Sequence, residues 1–153
     1  MALKDVWFTP EFGGAFPNKL LFMGEVSALT EFSRDRNAPK RQKVDLDDDG
    51  NGSGKRLWKG TVADPSAMGS RNASFDVIFV ADVQPVPVGA PVSDNVVLVE
   101  LEGLQVKPKV VGAGEFKSIG WSIRATGFKG DSSGSVAPGD HSASSSRGGK
   151  AAA

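Results

Sequence analysis

Apolar and polar residues alternate with a period of two in five stretches of this chain, each bounded by Gly, Pro or Asp clusters. That combination is the signature of β-strands. In residues 19–32, Phe22, Gly24, Val26 and Ala28 alternate with Met23, Glu25 and Ser27. In 56–64, Trp58, Gly60 and Val62 alternate with Leu57, Lys59 and Thr61. The run 73–82, ASFDVIFVAD, is rich in β-branched and aromatic residues. Residues 95–111 set Val97, Val99 and Leu101 against Glu100 and Glu102, then change phase around Gly103, as a bulge requires. In 120–129, Trp121, Ile123 and Ala125 oppose Ser122, Arg124 and Thr126. The segment Ser27 to Phe32 is also compatible with a short helix. No repeat of fixed period is present.

Five strands in roughly 110 residues, with a glycine inside the first and a long fourth one, suit a small curved, closed sheet. The expected fold is all-β, a five-stranded OB-like barrel over residues 19–129, with a small sandwich as the alternative. Pro85, Pro87 and Pro91 break the chain between the third and fourth strands, which predicts a long connection. Residues 1–18 hold Trp7, Phe8, Phe12 and Phe16 among Pro and Gly with neither period, and read as an irregular arm packed on the body. Residues 130–153 are rich in Ser, Gly and Ala with one Val, too little apolar surface to offset the entropy of ordering, so they are expected to form a disordered tail.

Composition narrows the chemistry. Lys plus Arg number 18 and Asp plus Glu number 18, so the net charge is zero and any case for nucleic acid rests on local clustering. The 153 residues include no Cys and no Tyr, and the single His, His141, lies in the tail. Thiolate metal sites, Cys nucleophiles and the usual general base are therefore missing from the strand-forming region. No apolar run reaches the roughly 20 residues of a membrane span, and MALKDVWFTP lacks the apolar stretch of a signal peptide. A soluble, cytoplasmic, non-enzymatic protein without a cofactor or metal is expected.

Several strings imitate known sites and fail on chemistry. Asp45, Asp47 and Asp49 before Gly50 match the start of an EF-hand loop, but Arg56 stands where a bidentate Glu is needed. The stretch 45–54, DLDDDGNGSG, then reads as a solvated acidic hairpin loop. GNGSGKR (50–56) lacks the first glycine and the final Ser or Thr of a P-loop. GAGEFK (112–117) has Lys117 in place of the last glycine of the dinucleotide fingerprint. Asn72 opens a formal glycosylation sequon that is without meaning unless the chain is secreted.

What remains is the distribution of charge. Arg34, Arg36, Lys40, Arg41 and Lys43 stand against Asp35 alone, Lys55, Arg56 and Lys59 surround Trp58, and Lys107, Lys109, Lys117, Arg124 and Lys129 follow Gly103 with Glu115 as their one acid. If strands one, two, four and five adjoin, these groups form a basic band with aromatic interruptions, the recipe for binding single-stranded nucleic acid. The simpler reading is that exposed strand faces ordinarily carry Lys and Arg, and that Trp58 and Trp121 belong to the core.

FPNKLLFMGEVSALTEF (16–32), an Arg/Lys-rich segment, KRLWKGTVADPSA (55–67) after an acidic turn, QPVP (84–87), LEGLQVKPKV (101–110) and SIRATGFK (122–129) follow one another in this order. The succession resembles the replication, integration and excision activator proteins of actinobacterial integrative plasmids. It covers about three quarters of the chain, and the specificity lies in the order of short strings. The resemblance implies a small accessory protein of a mobile element. The strand order is also similar in pattern to the OB-like, dimeric single-stranded-DNA-binding proteins of filamentous phages, an analogy of fold. The insert DDDGNGSG is longer and more acidic than the family pattern, and the Ser/Gly tail is unlike the acidic protein-recruiting tail of bacterial single-strand-binding proteins.

The expected function is thus single-stranded-DNA binding in support of replication, integration or excision of a plasmid or mobile element. Arg34, Arg36, Lys40, Arg41 and Lys43 are the expected phosphate contacts on a loop; Lys59, Lys107, Lys109 and Arg124 line the barrel face, and Trp58 is the stacking residue. Expected partners are single-stranded DNA and a replication initiator or integrase, with the oligomeric state open between monomer and homodimer. The alternative is an adaptor that recruits such an initiator or integrase by protein contact without touching DNA.

Overall fold

The computed structural model describes residues 6–70 and 73–132. The expected tail therefore lies outside the described residues from 133 onward, His141 included, and so do the first five residues of the arm.

The strands are β1 (Leu20–Ala28), β2 (Leu57–Ala63), β3 (Ser74–Val80), β4 (Gly89–Ser93), β5 (Val96–Val99), β6 (Leu101–Glu102), β7 (Gln105–Val111), β8 (Ser118–Ala125) and β9 (Gly127–Phe128). A seven-stranded sheet runs in the order β4-β5-β1-β2-β3-β8-β7, and β6 pairs with β9 in a separate two-stranded sheet. All of these pairs are antiparallel except β3 with β8, which is parallel through Ile78↔Arg124 and Phe79↔Ala125. Helical structure among the described residues is limited to α1 (Phe12–Ala15) in the arm and a 3-10 turn at Pro65–Ala67.

The fold is all-β, but the sheet does not close into the expected five-stranded barrel. The reason lies in the fourth and fifth runs of alternation. The fourth is interrupted at Glu100 and again at Gly103, where φ is 64°, and the fifth at Thr126, so that β6 and β9 leave the main ladders and pair with each other. Leu101 and Phe128 carry this small sheet into the same core as the large one. The Pro-rich connection also contains a strand that alternation did not reveal: β4 holds every residue exposed and tolerates Pro91 because it lies at the sheet edge. The segment after Ser27 forms no helix, since β1 continues to Ala28 and Thr30 bridges Gln42.

One face of the sheet buries Leu20, Phe22 and Val26 of β1, Val62 of β2, Val77 and Phe79 of β3, Val99 of β5 and Ala125 of β8, joined by Leu101, Leu104 and Phe128. Phe128 sits at the centre, edge-on to Phe22 at 5.1 Å and tilted against Phe79 at 4.9 Å between ring centroids. These are favourable aromatic geometries. Gly60 faces inward between them, and a Cβ there would meet the rings of Phe22 and Phe79. Gly24 has φ 78° inside β1, where the β1–β2 register shifts between Met23↔Thr61 and Ser27↔Lys59. This is the bulge that bends the strand. Phe12 and Phe16 of the arm pack against the core, and Phe16 stacks on Phe75 at 5.8 Å.

The arm also covers an edge. Phe8 N–H donates to Val106 O and Val106 N–H to Phe8 O, each at 2.8 Å, along the outer side of β7. Pro108 follows on the same strand and offers no donor. Together they blunt an edge that would otherwise template pairing with another chain.

Candidate nucleic-acid interface

Between β1 and β2 the backbone makes two successive hairpins at one end of the sheet. The first is closed by Glu31 N–H to Arg41 O and Lys43 N–H to Leu29 O, and carries the basic segment 32–40 at its tip. The second is closed by Asp45 N–H to Lys55 O and Leu57 N–H to Lys43 O, and carries the acidic tip. The two hairpins share the segment 41–45, the basic tip leaving it at residue 41 and the acidic tip at residue 45. Arg34, Arg36, Lys40, Arg41 and Lys43 are all exposed. Among the described residues none of their side chains has a carboxylate within ion-pair range or a hydrogen-bond partner. They are free to meet an external anion.

The acidic hairpin is held by its own carboxylates. Asp47 Oδ1 accepts from Asp49 N–H at 3.0 Å and Asn51 N–H at 2.8 Å, while Asp45 Oδ2 accepts from Ser53 Oγ at 2.7 Å and Ser53 N–H at 3.1 Å. Gly52, with φ 143°, is required here because a Cβ would strike the Asp45 carbonyl. Burial raises the Asp45 pKa, but the Ser53 hydroxyl and amide and the Arg124 charge outweigh it and hold the carboxyl below its ordinary 3.8. Among the described residues no group of three or more His, Cys, Asp or Glu is placed to hold a metal ion.

The sheet face opposite the core carries the other expected cations. Ser27, Lys59, Ile78, Arg124 and Gln105 lie in one registered row across β1, β2, β3, β8 and β7. Lys107 and Lys109 follow Gln105 on the same face of β7, by strand alternation. The expected adjacency of strands one, two, four and five is corrected in one respect. The third stretch, β3, lies between β2 and β8, so Ile78 and Asp76 stand between the basic positions. Thr61 Oγ1 donates to Asp76 Oδ1 at 3.0 Å.

Arg124 organises this face. Its Nε–H donates to Gln105 Oε1 at 2.7 Å, its Nη1 lies 3.7 Å from Asp45 Oδ1, and its guanidinium stacks 4.1 Å from the ring centroid of Trp7. Lys107 Nζ is 5.0 Å from the same ring. Trp7, Asp45, Ile78, Lys107, Ser122 and Arg124 together line a cleft of about 270 Å³.

Trp58 is not on this face. It is half-buried, packs against the core, and its Nε1–H donates to Ala81 O at 2.9 Å. The choice of Trp58 as stacking residue is therefore corrected: it adjoins Lys59 in β2, and consecutive strand residues point to opposite faces. Trp7 is the aromatic that joins the cations. No local pattern signals it, because it reaches Arg124 only through the Phe8–Val106 bridge. Trp121 lies 54% exposed on the opposite face, where it flanks an apolar groove of about 460 Å³ lined also by Pro10, Phe16, Phe75, Val106 and Ile123.

No family model, curated protein or solved structure matches this chain. Among the described residues no helix is long and apolar enough to cross a membrane.

Proposed function

We propose that this protein binds single-stranded DNA without breaking bonds, by electrostatic capture and stacking. The observation that carries the reading is the basic hairpin, whose Arg34, Arg36, Lys40, Arg41 and Lys43 are exposed and have no side-chain partner among the described residues. Free cations on a projecting hairpin suit a flexible phosphate backbone, because each one that engages a phosphate releases condensed counterion. Lys59, Lys107, Lys109 and Arg124 extend positive charge onto the sheet face, and Trp7 supplies the aromatic surface on which a base can stack. The role in replication, integration or excision of a mobile element, and a replication initiator or integrase as partner, rest on the ordered strings that resemble the plasmid activators.

A second reading, an adaptor that works by protein contact, is favoured by the exposed apolar residues Val110, Phe116, Ile119 and Trp121 in and around the β7–β8 hairpin. One titration separates the two. Labelled single- and double-stranded oligonucleotides, each at two salt concentrations, should show tighter binding to the single strand and steep weakening with salt. Absence of binding at low salt would end the DNA reading and leave the adaptor.

A further inference from the structure

Arg124 differs from the five cations of the basic hairpin in one respect: it is already engaged. Its guanidinium is gripped from three sides, by Gln105, by the face of Trp7 and by the Asp45 carboxylate. Gln105 and Trp7 orient the group without neutralising it. Asp45 does neutralise it, and it does so from the acidic hairpin, whose other carboxylate bonds stay within the hairpin itself.

We propose that the Asp45 carboxylate occupies, in the free protein, the position that a backbone phosphate takes at Arg124 in the nucleic-acid complex. The acidic hairpin is then an internal competitor of the DNA. The proposal rests on the single-stranded-DNA reading above and deepens it by naming one phosphate subsite and what holds it closed.

Three observations support the assignment. A carboxylate and a phosphate are both oxyanions and meet a guanidinium in the same way, so one can stand in for the other. The Asp45–Arg124 contact, at 3.7 Å with side chains about a quarter exposed, is loose and reachable by solvent, unlike the 2.7 Å bond from Arg124 to Gln105. Asp45 is also prepared to leave as a unit with its loop, because the Ser53 hydroxyl and amide hold its other oxygen and travel with the same hairpin. Once it leaves, Arg124 remains aimed by Gln105 and Trp7, and Lys107 stands beside the same ring as a second cation.

The test measures binding of a fluorescein-labelled oligothymidylate by anisotropy at several salt concentrations. Asp45→Asn keeps an acceptor for Ser53 and removes the competing charge. It should tighten binding by about two- to fivefold, the scale of breaking an exposed ion pair. Arg124→Gln should make the slope of log affinity against log salt shallower by about 0.7, one lost phosphate contact to a single strand. In the Arg124→Gln background, Asp45→Asn should lose its tightening, because the two act through one contact. Melting temperatures of all variants identify any that fail to fold, and Arg124→Met, which keeps much of the apolar stem and also removes the charge, replaces Arg124→Gln if that variant does. Equal tightening by Asp48→Asn would overturn the proposal in favour of loop charge at large. Persistence of the Asp45→Asn effect without Arg124, or an unchanged salt slope on removing Arg124, would overturn it as well. Binding by the intact protein with no gain in Asp45→Asn rejects the competitor alone. No binding by any variant rejects both it and the DNA reading.

Discussion

The guanidinium of Arg124 lies 4.1 Å from the ring centroid of Trp7, although one belongs to the arm before the first strand and the other to β8. A cation over an indole face is attracted by the ring quadrupole. Here the contact also fixes where the arm lies, since Phe8 is bonded to the edge of β7 one residue further on. The arm therefore closes an edge with Phe8, fills the core margin with Phe12 and Phe16, and places an aromatic among cations with Trp7.

If Trp7 stacks a base, Trp7→Ala should weaken oligonucleotide binding by roughly 1–3 kcal/mol, about five- to hundredfold, with an unchanged salt slope. Trp121→Ala should leave affinity and slope alone, because that indole is on the opposite face. Equal loss from both substitutions would place the strand elsewhere.

Changing Lys40, Arg41 and Lys43 together to Ala should make the salt slope shallower by about 2, at about 0.7 for each released single-strand contact. Stability should hardly move, since these side chains have no partners to lose among the described residues. A triple variant with the parental slope would remove the basic hairpin from the interface.

Trp58→Ala should destabilise the fold toward the low end of the roughly 3–5 kcal/mol typical of a large aromatic removed from a core, because Trp58 is only half-buried. Trp58→Phe should cost about 0.5–1.5 kcal/mol through the lost bond to Ala81 O. Neither should change affinity per folded molecule. Denaturant titration with binding measured in parallel checks both.

Gly60→Ala should lower stability by about 1–3 kcal/mol, because its new methyl enters the space of the Phe22 and Phe79 rings. Thermal melting reads this directly, and an unchanged midpoint would show that the rings have room to retreat.

The Asp45 carboxyl should titrate below 3.8 in a carbon-detected NMR pH series. A folded value below the unfolded one means that its stabilisation is complete above the ordinary carboxylate range and is lost as pH falls through the folded value. Asp45→Asn should flatten that acid limb and lower stability by a constant amount across roughly pH 5 to 8, where the carboxylate's contribution is complete. A midpoint at or above 3.8 would show that burial outweighs Ser53 and Arg124.

Much of the fold was readable from alternation alone. The inward set in β2, Trp58, Gly60 and Val62, and that in β8, Ile123 and Ala125, follow directly from the period of two, and so does the outward placement of Lys59 and Arg124. The same rule would have excluded Trp58 as a partner of Lys59 on one face. The basic hairpin was legible as a charge cluster, because a run of cations with one acid needs no tertiary partner to be seen.

The rest depended on which strands became neighbours. Whether the sheet closes is decided by the breaks at Glu100, Gly103 and Thr126, where backbone geometry sets which ladder each short strand joins. The row from Lys59 through Ile78 to Arg124 exists because β3 runs parallel to β8, a pairing between distant segments that local pattern does not encode. Trp7, Asp45 and Arg124 meet only once the arm and the acidic hairpin have docked on that face. Period and composition settle which side of a strand a residue occupies, because that follows from bond geometry along the chain. Which residues share a site follows from long-range pairing, whose free energy belongs to the whole fold.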